Sequence, residues 1–165
     1  MNQELTAVLT RHMSHFAPNA TANIKGAPNY PNVKGVAYFW QTKWGVIFSA
    51  EVRGLPDPGG NCDWPVFALH IHEGGSCTGN AQDPFANAGQ HYNPENCPHP
   101  AHAGDLPPLF SNQGFAWCAV LTDRFQVSQV AGKTLIIHSM RDDFTSQPSG
   151  DAGEKIACAV IQQIY

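Results

Sequence analysis

The residues best suited to chemistry in this 165-residue chain are histidines concentrated in one stretch. Five of the eight histidines lie between positions 70 and 105, and the stretch ends on Asp105. A neutral imidazole offers a nitrogen lone pair near neutral pH, which makes histidine the commonest metal ligand. Surface histidines scattered by chance would explain any one of them, but the density of the set favours a metal site. The set comprises His70, His72, His91, His99 and His102, with His138 further along.

His70 and His72 close an apolar segment, Val66 to His72, whose composition predicts a strand. Because side chains alternate between the two faces of a strand, both imidazoles are expected on the same side. Such a pair on a rigid strand would form half of a copper site, and His138, which ends another predicted strand, would add a third imidazole. A His-x-His pair alone is weak evidence, since many strands contain one by chance.

A second ligand set follows in a segment without periodicity, Glu73 to Pro108. Loops longer than about 15 residues are uncommon unless they are functional, so we expect metal ligands and a disulfide to hold this one. Three nitrogens and one carboxylate oxygen are a suitable tetrahedral zinc set. These four ligands would be His91, His99, His102 and Asp105.

Short strands are predicted wherever β-branched and aromatic residues dominate. The predicted strands are 20–25, 35–42, 45–53, 66–72, 134–138 and 155–161, with 109–110 and 114–121 forming a hairpin that turns at 111–113. Before them, apolar residues at helical spacing predict a short amphipathic helix that ends before Pro18. His12 and His15 lie on this helix, and we expect them to face solvent. The domains are therefore an N-terminal helical extension, 1–18, and a β domain, 19–165.

Composition narrows the class of protein. Charged residues make up only 13%, glycine and proline are frequent, and 42% of residues are apolar, which is typical of one domain of strands and irregular loops. The net charge of −4 argues against nucleic-acid binding. No apolar run approaches the roughly 20 residues of a membrane span. Residues 1–16 have no signal-peptide core, so we expect a cytoplasmic protein unless a leader has been removed.

Several motifs, in order, resemble the copper–zinc superoxide dismutases, and the resemblance runs from about Ala20 to Ile161. It implies an all-β fold, an eight-stranded antiparallel Greek-key barrel or immunoglobulin-like sandwich with two long functional loops. The motifs are His70 to Glu73 (HIHE), Gly89 to Pro94 (GQHYNP), His102 to Leu106 (HAGDL), His138, and Gly153 to Cys158 (GEKIAC).

The resemblance also implies roles for individual residues. It makes His70, His72 and His138 copper ligands, and His91 a ligand shared by copper and zinc. His99, His102 and Asp105 would complete the zinc site. Asp142 would hydrogen-bond to a ligand of each metal, and Cys77 and Cys158 would form a disulfide.

The implied activity is dismutation of superoxide to oxygen and hydrogen peroxide at copper, with His91 taking up and releasing a proton. Where the family usually has an arginine beside copper, this chain has Lys155, which we expect to attract the anionic substrate, with Arg141 as second candidate. The alternative is an exposed lysine paired with Asp151 or Glu154. The segments between His99 and His102 and between Asp142 and Lys155 are also shorter than in familiar eukaryotic members.

Other interpretations remain open at this point. A copper store or chaperone without turnover would keep the ligands, and a copper-only dismutase would leave the zinc site empty, although the complete second set argues against that. A second disulfide, Cys62–Cys97, is predicted because both cysteines lie in irregular loops that flank the strand Val66 to His72. The alternative, two unpaired thiols, is nearly as plausible. A homodimer is possible.

Overall fold

The computed structural model describes residues 3–57, 59–60 and 65–164. Eight strands account for most of the regular structure, with a helix at the start and a short helix before the seventh strand. The elements are α1 (Gln3–His15), β1 (Ala20–Gly26), β2 (Lys34–Thr42), β3 (Gly45–Arg53), β4 (Val66–His72), β5 (Asp105–Phe110), β6 (Phe115–Thr122), α2 (Val127–Val130), β7 (Thr134–His138) and β8 (Lys155–Gln163).

All eight strands belong to one antiparallel sheet in the order β5-β4-β7-β8-β1-β2-β3-β6. The chain crosses from one side of the barrel to the other between β3 and β4, returns between β5 and β6, and crosses again before β7. Because the sheet curls, its end strands β5 and β6 face each other and the barrel is nearly closed. This confirms the predicted all-β, eight-stranded antiparallel class.

The barrel interior is filled by side chains from alternate strand positions, as the pleat requires. Phe39 of β2 lies opposite Phe48 of β3, and their rings meet edge to face at 5.1 Å between centroids. Both rings are fully buried, as is Leu135 of β7. Burying a side chain of this size contributes about 1.5–3 kcal/mol, so this core can hold β4 and β7 as a rigid support for the histidines.

Two details of the predicted strands are wrong. The long loop ends at Gly104, because Asp105 already pairs with His70 and β5 begins there. Pro107 and Pro108 disguised this strand, yet proline is tolerated at a sheet edge. The predicted hairpin is also wrong, since the chain reverses between Asn112 and Phe115 but β5 then pairs with β4, and β6 with β3.

Two loops leave the barrel from opposite ends of the antiparallel pair β4–β7, one of residues 73–104 between β4 and β5, the other of residues 139–154 between β7 and β8. The predicted disulfide Cys77–Cys158 is confirmed and ties the first loop to β8, with 5.7 Å between the Cα atoms. Cys62 lies outside the described residues, so the Cys62–Cys97 pairing stays a prediction. Across the described part of the chain, no helix is long and apolar enough to span a membrane.

Candidate metal centre

Four buried imidazoles converge where the first loop meets the barrel. His70 and His72 lie on β4, His138 ends β7, and His91 is brought from the loop by a backbone bridge to His72. One ring nitrogen from each can be chosen so that all four atoms lie within 4.8 Å of one another. The strand pair β4–β7 therefore fixes three of these side chains, and the loop delivers the fourth.

A second group shares His91 with the first. It consists of His91, His99, His102 and Asp105, again with ligand atoms within 4.8 Å of one another and all four residues buried. Asp105 is placed by the β4–β5 pairing, whereas His99 and His102 come from the end of the loop. The structure thus brings together all seven ligands predicted from the sequence, in the two groups expected.

Hydrogen bonds orient the rings so that lone pairs point into the first group. His72 Nδ1 lies 2.9 Å from the Gly89 carbonyl oxygen, and His138 Nδ1 lies 3.2 Å from that of Gly153. Because a carbonyl oxygen only accepts, both Nδ1 atoms must carry hydrogen, which leaves lone pairs on the two Nε2 atoms. These Nε2 atoms are 3.3 Å apart. Two facing lone pairs repel unless a cation lies between them.

Asp142 orients one histidine of each group. Its Oδ2 is 2.8 Å from His70 Nε2 and its Oδ1 is 2.8 Å from His99 Nε2. A carboxylate accepts from both, so the Nδ1 lone pairs of His70 and His99 are directed at the metal positions. Gly150 leaves room for this link, since a Cβ there would lie 2.0 Å from Asp142 Oδ1. The linking role expected for Asp142 therefore matches the geometry.

Three buried ring nitrogens without hydrogen-bond partners show whether metal ions fit these groups. His70 Nδ1 and His91 Nε2 are buried with no hydrogen-bond partner, and His99 Nδ1, 3.0 Å from Asp105 Oδ2, makes no hydrogen bond either. A buried polar atom without a partner costs about 1–3 kcal/mol. All three belong to the two groups, and a cation in each would satisfy them. The residues present fit two metal ions with His91 between them.

The protonation states agree with metal binding. Burial lowers the pKa of His72 to about 2 and that of His138 to about 3, so both rings are neutral at physiological pH. Burial would raise the pKa of Asp142, but the hydrogen bonds from His70 and His99 hold it at about 2. His72 and His138 therefore present neutral imidazoles, the state in which histidine binds metals, and Asp142 is ionised.

A pocket of about 340 Å³ opens onto the first group. His72, His91 and His138 form its floor, and Lys155 lies in its wall. Arg141, the second candidate for attracting the substrate, instead lines a separate surface cavity with Asp143 and Asp151. A small molecule can reach the four-histidine group from solvent, and Lys155 is the cationic residue beside its path.

Comparison with known proteins identifies the arrangement. Residues 33–161 match the family described as copper/zinc superoxide dismutase. The chain belongs to this family. It is 29% identical to superoxide dismutase [Cu-Zn] 2 of Aquifex aeolicus, over 97% of this chain and 99% of that protein. It is 35% identical to superoxide dismutase [Cu-Zn] of Escherichia coli O157:H7, over 74% and 75% of the two chains. For that of Legionella pneumophila the identity is 30%, over 89% and 92%.

Sequence reasoning missed one arginine of this copper/zinc superoxide dismutase that holds the backbone of the second group in place. Arg124, between β6 and α2, directs Nη1 at three backbone carbonyl oxygens: Pro100 at 3.1 Å, His102 at 3.3 Å and Asp105 at 3.4 Å. No local motif marks this arginine, because its partners lie about twenty residues earlier in the chain. It ties the last part of the loop to the segment after β6, across the gap between β5 and β6.

We expect Arg124→Gln to weaken zinc binding by about 10- to 100-fold, the range seen when groups that orient metal ligands are removed. Without Nη1, the backbone carrying His102 and Asp105 is held less firmly. Competition with a chromogenic chelator would measure the zinc affinity. Arg53→Gln is a matched control, because Arg53 is exposed and pairs with Glu51 on β3. Equal zinc affinity in both variants would contradict the bracing role.

Proposed function

We propose that this enzyme dismutates superoxide with copper held by one group and zinc by the other. The observation that carries the assignment is the donor set: the group that opens on the pocket offers four imidazoles, whereas the other combines three imidazoles with the carboxylate of Asp105. A nitrogen-rich site suits copper, and a three-histidine, one-carboxylate site suits zinc. Copper would bind His70, His72, His91 and His138, and zinc would bind His91, His99, His102 and Asp105.

The reaction consumes two superoxide anions and two protons and yields one oxygen and one hydrogen peroxide. When bound, copper supplies the one-electron couple that this exchange requires. The chain supplies an accessible pocket, a rigid set of imidazoles and a route for protons. His91 is the residue common to both groups, and its Nε2 points at the accessible site without a hydrogen bond. We assign to this atom the proton that is passed to the departing peroxide.

Lys155 is proposed to attract the substrate. Its side chain is 16% exposed and lines the pocket that ends on His72 and His138. A fixed positive charge beside the path raises the local concentration of an anion and thus the association rate. The ammonium does not pair with Asp151 or Glu154, the partners considered from the sequence, but with Asp83, at 2.5 Å.

The open pocket favours turnover over storage. A copper store or chaperone has no anionic substrate for a cationic side chain in the pocket wall to attract, and a copper-only dismutase has no need of the second group. The predicted homodimer, the cytoplasmic location and the lack of nucleic-acid and membrane partners stay predictions.

Metal reconstitution tests the proposed function. The metal-free protein would be loaded with copper alone, zinc alone or both, and metal content and superoxide consumption would be measured on each sample. We expect zinc alone to be inactive, copper with zinc to be fully active, and each metal to bind at one equivalent per chain. Protein that binds both metals at this ratio but consumes superoxide no faster than the zinc form would overturn the proposal in favour of storage.

A further inference from the structure

The Lys155 ammonium is not free in the pocket wall. Its Nζ lies 2.5 Å from Asp83 Oδ2 and 3.4 Å from the Phe85 carbonyl oxygen, both in the loop that carries the disulfide. Asp83 is 38% exposed and lines the same pocket. A carboxylate at this distance cancels most of the ammonium's charge as seen by an approaching anion.

The loop holds Asp83 ready for this contact. Its Oδ1 accepts from the Phe85 backbone N–H at 3.0 Å, and its own N–H donates to Asn80 Oδ1, also at 3.0 Å. Phe85 is buried in a small cluster with Cys77 and Cys158, so the disulfide anchors the turn. With Oδ1 engaged, Oδ2 faces the lysine. Partial burial would raise the pKa of Asp83, but the hydrogen bond from Lys155 lowers it overall, and the group is ionised.

The other charges around the pocket show why the Asp83–Lys155 ion pair matters to an approaching anion. Among the residues that the structure describes, the charged side chains of its wall are Asp83, Glu154 and Lys155, two negative and one positive. Glu154 Oε1 accepts a hydrogen bond from the Tyr30 hydroxyl, and the ion pair of the Lys155 ammonium is with Asp83. The freedom of Lys155 to meet an anion is therefore set by Asp83.

We propose that Asp83 is a positioning residue that holds the Lys155 ammonium in an ion pair at the pocket rim and thereby limits its attraction for the anionic substrate. The inference rests on the proposed function, because it concerns the path of superoxide to copper. It assigns to the disulfide loop a role in substrate attraction in addition to the ordering of the ligand His91.

Asp83→Asn is the informative variant. The amide oxygen can still accept from the Phe85 N–H, so the turn is kept, but the ion pair is lost. We expect kcat/KM to rise about 2- to 5-fold at 0.01 M ionic strength, where the screening length is about 30 Å, and the gain to vanish near 1 M, where it is about 3 Å. Glu154→Gln removes one negative charge from the pocket wall, as Asp83→Asn does, but it does not free Lys155. The gain in kcat/KM should therefore be smaller.

A double-mutant cycle separates positioning from a simple change of charge. If Asp83 acts by holding Lys155, Asp83→Asn should have little effect in a Lys155→Ala background. An equal gain with and without Lys155, or no gain at all, would overturn the proposal. Retention of the Cys77–Cys158 disulfide and an unchanged melting temperature would show that the turn is intact.

Two further measurements do not depend on turnover. Azide, a small anion that binds copper, should bind the copper- and zinc-loaded Asp83→Asn protein more tightly by a similar 2- to 5-fold factor, about the same as the rate gain. In the metal-free Asp83→Asn protein, Lys155 should be acylated by an amine-reactive reagent faster than in the metal-free wild type, as measured by peptide mass spectrometry. If the wild type proves inactive, the proposed function fails, yet azide affinity still tests Asp83. Unchanged azide affinity together with unchanged acylation would exclude the restraint.

Discussion

His138→Ala is expected to reduce superoxide consumption by more than about 100-fold, since replacing even the groups that orient a metal ligand costs 10- to 100-fold. The loss follows from the position of His138. Its Nε2 belongs to the group that opens on the pocket, opposite His72 Nε2, and β7 provides no substitute ligand there. Superoxide consumption and metal content of the reconstituted variant would be measured together.

The result has a specific pattern in the metals. Zinc should stay near one equivalent in His138→Ala, because His138 is absent from the second group, while copper should fall or become easily removed. His15→Ala is the matched control: it removes an imidazole that is exposed on α1, and both metals and activity should be unchanged. Full activity in His138→Ala, or a loss of zinc equal to that of copper, would refute the assignment of the two groups.

The ligands could be found from the sequence because their geometry is local or carried by motifs. A strand places residues i and i+2 on one face, so the common direction of His70 and His72 follows from the two-residue period alone. The zinc set followed from its three imidazoles and one carboxylate in a single loop, whereas the sharing of His91 by the two metals came from the resemblance to a family. The strand at Asp105 was missed at its start because two prolines interrupt the pattern of alternation.

The contacts that adjust the site do not follow from residue types and spacing. Lys155 and Asp83 are 72 residues apart, and so are His70 and Asp142, whose contact was expected only from the resemblance to the family. Only the barrel topology brings such pairs together, and nothing in the composition near Asp83 distinguishes it from an ordinary loop carboxylate. The sequence therefore identified Lys155 as the cation, but the ion-pair partners considered for it were Asp151 and Glu154 and not Asp83. Asp83 reaches Lys155 because the disulfide brings the loop containing Asp83 against β8.

Acid should destabilise the metal-free protein strongly between pH 6.5 and about 3, because buried histidines favour the unfolded state there. In the unfolded chain a histidine takes up a proton near pH 6.5, whereas burial lowers the pKa of His72 to about 2 and of His138 to about 3 in the folded protein. Below pH 6.5 the unfolded state therefore binds more protons, and the free energy of unfolding falls as the pH falls. Each histidine contributes roughly 1 kcal/mol per pH unit.

The carboxylates act in the same direction at lower pH. The pKa of Asp142 is about 2 in the folded protein, so its stabilising contribution is present above about pH 4 and is lost as the pH falls through the folded value. Urea unfolding of the metal-free protein at pH 7.5, 6.5, 5.5 and 4.5 would give the slope. His138→Gln should reduce the slope by about one proton, and His15→Gln should leave it unchanged. A free energy of unfolding that is constant from pH 7.5 to 4.5 would contradict the prediction, because it would mean that these imidazoles are protonated as readily in the folded barrel as in the unfolded chain.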